Sequence, residues 1–508
     1  MAASLLTNKR TVIIGGGPVG LACARLLQQQ GAAVTVYERD ASVTARLTGG
    51  SLDLHPRTGQ RTLRQAGLLA TFRAHARPVA LHLADQQGRV QFTMAPDKAK
   101  PEIERPALRQ LLLDSLHPGT VHWDHQVVAL ARQPDDSYEL GFRHGARVRA
   151  DFVIIADGVR SATRSLVFDA LPEDTGTYVV QGEIADYATR CPGLHQLTGP
   201  GNLAVVEGKK TLFTHQRTDG SVCFYASFRR SEPWLRDGGV PDPADAAATR
   251  QLLRRLFAGH AAVYHELFEA ADAFGGFPIR VFPVEEIRRP HVNLTLIGDA
   301  AHAMPPFGGM GVNMGLVDAR ILMENLTSGR FANVAAAVAD YERQLQAYAA
   351  PVQQATHAAD DRAHTQYANA VGRFKQAKLR QLGSGVQYLA LLLGVVASGA
   401  LWGRWLAAAG LVGGGLTGPG GPGWSALTAG AGLLMAAAAG CLALTRPPRL
   451  AACYGMLAAA GLLGLGGLGA GWPTGSTAGP LAGLVAVLAG LALFAATVLR
   501  PFARQQPG

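Results

Sequence analysis

The stretch Thr11–Asp40, TVIIGGGPVGLACARLLQQQGAAVTVYERD, predicts the fold of the first part of the chain. Its apolar, β-branched start predicts a buried parallel strand. Three glycines then follow in the spacing G-x-G-x-x-G, namely Gly15, Gly17 and Gly20. In that spacing the first permits a tight turn, the second lets the backbone approach a pyrophosphate, and the third lets the next helix pack closely. A second strand ends in Glu38, whose carboxylate is placed to accept ribose hydroxyl protons, so the stretch predicts a dinucleotide site rather than an ordinary glycine-rich turn.

Length and composition restrict the class of protein. A chain of 508 residues with a net charge of +10 is long enough for two or three domains. It has no stripe of clustered Lys and Arg with aromatics, which argues against nucleic acid as a partner. The five cysteines show no C-x-x-C, and no acid or Cys completes a ligand set with His122 and His125. We therefore expect a reducing compartment, no structural disulfide and no metal site.

Two further motifs follow strand-like runs in the globular part. Asp157-Gly158 comes after one apolar run, and Gly298-Asp299 comes after another, followed by a Pro-Pro-Phe-Gly-Gly turn and a helix. Residues 176–230, rich in β-branched and aromatic residues, predict an antiparallel sheet in a second domain. The pattern also predicts helices over 56–69, 106–116, 242–271 and 334–380, the last of them kinked or interrupted at Pro351.

The end of the chain has a different composition. From Gln381 onward there is no Asp or Glu, and four apolar spans lie at about 386–403, 424–444, 450–471 and 480–499. Each has close to the ~20 residues that cross a ~30 Å hydrocarbon layer. Arg and Lys flank these spans so that both ends fall on one side. The sequence thus predicts a transmembrane region of four helices over 381–505, anchoring a cytoplasmic domain to the inner membrane with both termini cytoplasmic; the alternative is a buried helical core.

Together the three motifs resemble the class A flavin monooxygenases, which have the para-hydroxybenzoate hydroxylase fold. The resemblance covers about residues 8–350 and implies an α/β protein with a Rossmann-like FAD-binding domain, an antiparallel-sheet substrate domain and a long bridging helix. The implied segments are 8–75, 105–174 and 286–330 for the FAD-binding domain, 76–104 and 175–285 for the substrate domain, and 331–380 for the helix.

Within that class the chain looks most like the tetracycline-inactivating flavin monooxygenases, over Glu38–Asp40, Ala45-Arg46, Gly49–His55, Leu108-Arg109 and Gly298–Phe307. This resemblance implies cofactor contacts for Gly15, Gly17, Gly20, Glu38, Arg39, Arg46, Asp53, Arg109, Asp157, Asp299, Pro306, Gly309 and Gly311, with Arg46 on NADPH. It implies substrate contacts for Gln181 and Phe307. Asn202 and Cys223 stand where those enzymes have an Arg and a His. Without the resemblance, Arg109 is a solvated or salt-bridged arginine and Gln181 an ordinary strand residue.

The implied reaction uses NADPH to reduce FAD and O2 to form a flavin C4a hydroperoxide. That species hydroxylates an electron-rich carbon of a polycyclic phenol or enol, such as a tetracycline or another aromatic polyketide. We expect no obligate catalytic acid or base from a side chain. Two alternatives stay open: a membrane-associated flavin hydroxylase, epoxidase or reductase acting on a lipid, quinone or endogenous aromatic, and a flavin-binding sensor without turnover.

Overall fold

The computed structural model describes residues 4–43, 45, 49–168, 171–207, 209–230, 239–283 and 291–365. These residues belong to one compact unit, Met1–Val371. The predicted transmembrane region 381–505 lies outside the described residues, as does the end of the long helix beyond Thr365. Within the described part, no helix is long and apolar enough to cross a membrane.

The described part contains seventeen strands and eleven helices, numbered here in chain order. The strands are β1 Thr11–Ile14, β2 Val34–Tyr37, β3 Ser51–Asp53, β4 Ala80–Ala84, β5 Val90–Met94, β6 Glu102–Glu104, β7 Val121–His122, β8 Val127–Arg132, β9 Tyr138–Phe142, β10 Arg147–Ala150, β11 Phe152–Ile155, β12 Glu173–Ile184, β13 Gly201–Glu207, β14 Lys210–Gln216, β15 Val222–Arg229, β16 Ala273–Val281 and β17 Leu294–Leu296. The helices are α1 Pro18–Gln28, α2 Gly59–Gln65, α3 Leu69–His75, α4 Arg105–Asp114, α5 Tyr187–Arg190, α6 Pro192–Thr198, α7 Ala246–Leu256, α8 Ala262–Ala270, α9 Asp299–His302, α10 Gly311–Thr327 and α11 Val334–Thr365.

A five-stranded parallel sheet brings the three sequence motifs together. Its strand order is β17-β11-β1-β2-β7, and β1, β11 and β17 are buried along their whole length. Ile14 pairs with both Ile155 and Tyr37, and Ile155 pairs with Leu296. Because these strands run parallel and end in register, the loops that follow them meet at one edge of the sheet. This Rossmann-like arrangement is the one that the sequence predicts.

A seven-stranded sheet, in the order β16-β12-β15-β14-β13-β4-β5, forms the second layer. Its pairs within residues 176–230 are antiparallel, as the sequence predicts, and β13 pairs in parallel with β4, which lies outside that range. A parallel pair needs a long connection, and more than one hundred residues lie between the end of β4 at Ala84 and the start of β13 at Gly201. Two smaller sheets, β10-β9-β8 and β3-β6, complete the strands.

The two faces of the seven-stranded sheet differ in what covers them. One face packs Val180, Leu212 and Phe224 against Leu253 and Phe268 from α7 and α8, in a single apolar cluster. The register places Gln181 beside Tyr225, Tyr225 beside Phe213, and His215 beside Cys223 on the other face. Side chains alternate along a strand, so this second face is distinct from the helix-covered one. We call it the open face, because α7 and α8 do not cover it.

The helices differ from the sequence predictions at several places. The predicted helix over 56–69 is two helices, α2 and α3, separated at Gly67, whose φ of +76° ends the first. The predicted helix over 242–271 is also two, α7 and α8, and Ala261 between them donates its N–H to the Gln86 carbonyl at 2.7 Å. The helix α11 runs through Pro351 without interruption. The short helices α5 and α6, inside a stretch predicted as strands, were not anticipated.

Candidate cofactor and substrate site

The glycine loop between β1 and α1 leaves room for an anion. A Cβ on Gly15, which has a φ of +113°, lies 2.4 Å from the Ala156 carbonyl oxygen, and one on Gly20 lies 2.2 Å from that of Gly15. These two glycines therefore permit the turn and the close packing of α1. Gly17 has no described atom within 4 Å of the equivalent position, and as the N-cap of α1 it offers no capping side chain. The uncapped N–H groups of the first turn thus face open space, as an anion-binding helix start requires.

Glu38 and Arg109 hold this loop from the side. The buried Glu38 carboxylate accepts the N–H of Gly16 at 2.7 Å and that of Asp40 at 2.9 Å. Arg109 donates from Nε to the Gly16 carbonyl at 3.0 Å, and its Nη2 lies 3.8 Å from Glu38 Oε2. The Arg109 side chain is only 13% exposed. Arg109, from helix α4, is therefore a salt-bridged arginine bonded to the glycine loop and not a solvated surface arginine.

Asp157, after β11, carries an unusual carboxylate. Its Oδ1 is buried without a hydrogen-bond partner among the described residues, and its Oδ2 accepts a long bond of 3.4 Å from the Thr163 N–H. Burial raises the pKa of Asp157 in spite of bonds from Ser161 and Thr163. A buried acceptor without a donor is what a polar group of a bound cofactor satisfies.

Asp299, the first residue of α9, lies beyond the end of β17. Its side chain reaches solvent, although protein surrounds it on most sides. This burial raises the pKa of Asp299, although the charges of His302 and Arg105 act to lower it. The position of a Cβ on Gly311, where α10 begins, is 3.5 Å from Asp299 Oδ1. The carboxylate and the start of α10 therefore border the same enclosed space.

A buried network fixes the turn that carries Asp299. Asp318 accepts the Gly298 N–H at 2.6 Å, lies 2.6 Å from His302 Nε2 and accepts the Tyr348 hydroxyl at 2.5 Å. Burial alone lowers the pKa of His302, but the Asp318 carboxylate outweighs this and the net shift is upward. His302 thus supports the turn.

The turn Pro305–Gly311 is tied to β3. The Pro306 carbonyl accepts the N–H of Gly308 at 2.8 Å, and a Cβ on Gly309 lies 2.7 Å from Asp53 Oδ1. The buried Asn313, which the sequence analysis did not single out, donates to the Asp53 carbonyl at 2.8 Å. Asp53, Pro306 and Gly309 are therefore neighbours at one wall of the space beside Asp299.

The substrate-side residues lie on or beside the open face. Gln181 donates to Glu183 Oε1 at 2.7 Å, and the Tyr225 hydroxyl accepts the Gly50 N–H at 2.7 Å. The Phe307 ring lies 5.0 Å from that of His364, whose Nε2 is 2.8 Å from Ser227 Oγ. Ser227 and Tyr225 are two positions apart on β15, so both lie on the open face. The structure thus places Gln181 on that face and Phe307 at its border.

Four positions named in the sequence analysis stand apart from this set. Arg46 lies outside the described residues, and Arg39 is exposed beside Glu38. Asn202 is buried, donates to both carboxylate oxygens of Glu102 at 3.1 Å and accepts the Gln216 N–H. Cys223 is fully buried, and burial raises its thiol pKa to about 12. Asn202 thus has a bonded structural setting, and Cys223 has that of a small buried residue.

The groups at this edge fit FAD. The uncapped first turn of α1 suits a pyrophosphate, Glu38 suits an adenosine ribose, and Asp299 suits the hydroxyls of a ribityl chain. No group of three or more His, Cys, Asp or Glu in the described part is placed to hold a metal ion.

Comparison with known proteins identifies the family. A sequence model of the FAD binding domain matches residues 8–355. The 3-amino-4-hydroxybenzoate 2-monooxygenase PtnB3 of Streptomyces platensis is 31% identical over 335 residues, covering 62% of this chain and 79% of the relative. The monooxygenase penA of Penicillium thymicola is 26% identical over 365 residues, covering 62% and 84%.

Solved structures agree on the fold. Klebsiella pneumoniae HpxO complexed with FAD and uric acid aligns with a TM-score of 0.58 and 21% identity, covering 71% of this chain and 90% of that one. The tetracycline destructase Tet(55) aligns with a TM-score of 0.60 and 22% identity, covering 73% and 94%. With the glycine loop, the acid after β2 and the two Asp-bearing loops gathered at one edge, the chain belongs to the FAD binding domain family and is a flavin-dependent monooxygenase.

Proposed function

We propose that the chain uses NADPH and O2 to hydroxylate a polycyclic phenolic or enolic substrate, with tetracyclines among the compounds it accepts. The observation that carries this proposal is the meeting of the flavin-side loops with the open face of the seven-stranded sheet. Gly50 donates to the Tyr225 hydroxyl at 2.7 Å, and Arg217 donates to the Gly49 carbonyl at 2.8 Å. A substrate on the open face therefore lies next to the segment that leads into Asp53.

The flavin-side residues have the following roles in this proposal. The start of α1, Glu38 and Arg109 hold the ADP half, and Asp157 and Asp299 accept hydroxyl donors. Bound FAD supplies the electron transfer and the activation of O2. The positive end of the α10 dipole, at Gly311 beside Asp299, favours negative charge in that space.

The substrate-side residues select and enclose the substrate. Gln181 presents an amide on the open face, and Phe307, with the apolar part of its turn, limits the access of water to the reacting carbon. The names of the relatives favour an aromatic or enolic substrate, since they include a hydroxybenzoate monooxygenase, a structure with uric acid and tetracycline destructases. Asn202 and Cys223 in place of an Arg and a His argue for weaker tetracycline binding.

NADPH completes the proposed reaction as the reductant. Arg46, outside the described residues, is the proposed contact, and the exposed Arg39 is close to it in sequence. This assignment is tested by measuring the rates of NADPH oxidation and NADH oxidation, each with the wild type and with the Arg46→Ala variant. Equal loss with both nucleotides would contradict a specific contact with the NADPH phosphate.

The apolar tail is proposed to anchor the enzyme. Its four acid-free spans and the basic residues between them support insertion in the inner membrane, with both termini cytoplasmic. Truncation after Arg380 removes the tail and leaves the family-matched residues 8–355 intact. We expect the full chain in the membrane fraction and the truncated chain in the soluble fraction, with NADPH oxidation retained. Recovery of the full chain in the soluble fraction would refute the anchor.

The tail also favours a second candidate function, oxygenation or reduction of a lipid or quinone delivered from the membrane. The two candidates differ in one result. If the truncated enzyme hydroxylates water-soluble phenols as fast as the full chain, the tail is an anchor; if only membrane-dissolved quinones stimulate NADPH oxidation, and only in the full chain, the second candidate holds.

The experiment that tests the main proposal is mass spectrometry of tetracycline incubated with the purified enzyme, NADPH and O2. A gain of one oxygen atom is the expected result. If neither tetracycline nor any of a panel of hydroxybenzoates, catechols and urate stimulates NADPH oxidation or gains oxygen, the proposal is wrong.

A further inference from the structure

Three side chains from distant parts of the chain form a connected polar cluster at the border of the open face. They are Ser51 from β3, Glu102 from β6 and His215 from β14. Ser51 Oγ donates to Glu102 Oε2 in a short bond and lies 2.9 Å from His215 Nδ1. His215 Nδ1 also lies 3.7 Å from Glu102 Oε2. We call these three residues the relay cluster.

The cluster does not have the order of a hydrolytic triad. In such a triad the histidine lies between the acid and the hydroxyl nucleophile. Here the serine hydroxyl lies between the histidine and the carboxylate, so Ser51 is placed to pass a proton and not to attack a carbonyl carbon.

One nitrogen of His215 is available to a ligand. Its Nδ1 is engaged by Ser51, and its Nε2 has no hydrogen-bond partner among the described residues. The imidazole lies against Gly50, where a built Cβ is 2.9 Å from Nε2, and beside the rings of Phe213 and Tyr225. The side chain is 17% exposed. Nε2 is therefore a polar atom without a protein partner, on the face that carries Gln181.

The other end of the cluster leads to solvent. Glu102 and Ser51 line a recess whose remaining walls include Arg77, Glu104, His75 and Thr218. His75 and Thr218 are exposed. The relay cluster thus crosses the wall between the open face and this outer recess.

Glu102 is held as a carboxylate. Burial alone raises its pKa, but bonds from His215, Ser51 and Asn202 outweigh burial and the net shift is downward. The Asn202 amide, which donates to both Glu102 oxygens, therefore helps to keep Glu102 ionised. Asn202 and Ser51 are positioning and relay residues, while His215 faces the ligand.

We propose that His215 is the catalytic residue that accepts the proton of a phenol or enol hydroxyl on the substrate, and that Ser51 and Glu102 carry this proton away. The inference rests on the proposed function and adds the chemical feature that the site selects, an ionisable hydroxyl group. An ionised hydroxyl makes its ring or enol carbon more electron-rich and so more reactive towards oxygen transfer.

The proton transfer balances without another reactant. The substrate O–H bond breaks, its electron pair stays on the oxygen, and the proton forms a new N–H bond at His215 Nε2. His215 Nδ1 then gives its proton to Ser51 Oγ as the Ser51 hydroxyl proton moves to Glu102 Oε2. The substrate becomes an anion and His215 ends neutral in its other tautomer, while Glu102 passes the proton to the solvent of the outer recess and returns to its carboxylate form.

The sequence does not single out these three residues, because they are far apart in the chain. Ser51 is 51 positions from Glu102 and 164 from His215. Only the pairing of β3 with β6 and the approach of β14 to Gly50 bring them together.

The test compares three variants of the full-length holoenzyme with the wild type. His215→Gln keeps a hydrogen-bonding side chain but cannot take up a proton, and Glu102→Gln keeps the shape of the relay without its carboxylate. The control is His82→Gln, because His82 pairs with Leu203 of the helix-covered face of the same sheet. Flavin absorbance and melting temperature confirm that each variant is folded and loaded.

The first measurement is the visible spectrum of 4-nitrophenol on binding, at a pH where the free compound is mostly neutral. We expect the wild type and His82→Gln to bind it as the coloured phenolate. We expect the ratio of phenolate to phenol to fall about tenfold in His215→Gln, which corresponds to one unit of the phenol pKa, and also to fall in Glu102→Gln. The inference would be overturned if the wild type bound no phenolate, or if His215→Gln and Glu102→Gln bound as much phenolate as the wild type.

The second measurement is the pH profile of kcat/KM with a phenol that the wild type oxygenates. We expect His215→Gln to lose activity at low pH and to recover as the substrate ionises by itself, whereas a merely structural defect lowers activity at every pH. An unchanged profile in His215→Gln overturns the inference and leaves the proposed function standing. If the wild type oxygenates no phenol at all, the proposed function fails, and the 4-nitrophenol spectrum still decides the role of His215.

Discussion

Arg164 donates from Nη1 to the carbonyl oxygen of Ala300 at 2.9 Å, and this bond joins the loop after β11 to the loop after β17. Arg164 is 2% exposed, its Nη2 donates to the Val159 carbonyl at 3.2 Å, and its guanidinium lies 4.3 Å from the Phe282 ring centroid. A buried arginine bonded to two carbonyls therefore fixes the spacing of the Asp157 and Asp299 loops. No feature of the sequence around Arg164 separated it from the many other arginines.

The first prediction concerns this link. Arg164→Lys keeps the charge, but a lysine lacks the planar guanidinium that donates to both carbonyls. We expect FAD occupancy to fall and the free energy of unfolding to drop by roughly 1.5–3 kcal/mol, the contribution of a hydrogen bond to a charged group. Chemical unfolding and the flavin-to-protein absorbance ratio measure the two effects. Arg160→Lys, four residues earlier and exposed, is the control. Full flavin occupancy in Arg164→Lys would show that the link is not needed.

The second prediction separates two glycines of the same loop. Gly17→Ala adds a methyl group where no described atom lies within 4 Å, so the fold is expected to persist while FAD binding is lost. Gly20→Ala places its methyl group 2.2 Å from the Gly15 carbonyl oxygen, so both stability and flavin are expected to be lost. Melting temperature and flavin content distinguish the two results. If Gly17→Ala binds FAD normally, the pyrophosphate does not lie at the start of α1.

The third prediction concerns Asp299. The variant Asp299→Ala removes a carboxylate that reaches solvent. No described side chain depends on this carboxylate for a hydrogen bond. A charge-assisted bond to a ribityl hydroxyl contributes roughly 1.5–3 kcal/mol, so FAD affinity should fall about ten- to one-hundredfold. The apoprotein should melt at an unchanged temperature. Equal FAD content in wild type and variant after dialysis would contradict the assignment.

Features that depend on residues close together in the sequence were predictable, and features that depend on distant residues were not. The parallel sheet and its three loops were predictable because each motif is local: a buried strand, then a glycine or an acid at its end. Asn313 and Arg164 were not, since their bonds to Asp53 and Ala300 span 260 and 136 residues. The helices α5 and α6 were missed because they are four and seven residues long and interrupt a β-rich stretch; Pro192, at the start of α6, was the available signal. Side chains that act across the two sheets have no local pattern, so only the folded chain reveals them.

The fourth prediction concerns pH and Glu342. Burial raises the pKa of Glu342 to about 7, against a bond of 2.8 Å from the Thr295 hydroxyl. Its ordinary value in an unfolded chain is about 4.3, so between these two values the folded protein binds more protons than the unfolded one. The contribution of Glu342 to stability is therefore complete at low pH and decreases as the pH rises to about 7.

The variant Glu342→Gln keeps the acceptor for Thr295 and removes the titration. We expect it to be more stable than the wild type at pH 8 by up to about 3 kcal/mol, and the difference to shrink towards pH 5. Urea unfolding at the two pH values measures this difference. Glu139→Gln, on the partly exposed strand β9, is the control. A stability difference that is the same at both pH values would show that Glu342 is not protonated in the folded protein.

The last prediction concerns tetracyclines and Gln181. An Arg on the substrate sheet pairs bidentately with an anionic enol-carboxamide, whereas Asn202 is neutral, buried and already bonded to Glu102 and Gln216. The loss of one such bond costs roughly 1.5–3 kcal/mol, so we expect a Michaelis constant about ten- to one-hundredfold above that of a destructase, with hydroxylation still detectable. Gln181 is the polar contact that we predict on β12. Gln181→Leu, which keeps the size of the side chain, should raise the Michaelis constant for tetracycline further while FAD content and basal NADPH oxidation stay unchanged. The exposed Gln91 on the edge strand β5 gives the control, Gln91→Leu. An unchanged Michaelis constant in Gln181→Leu would place the substrate elsewhere on the open face.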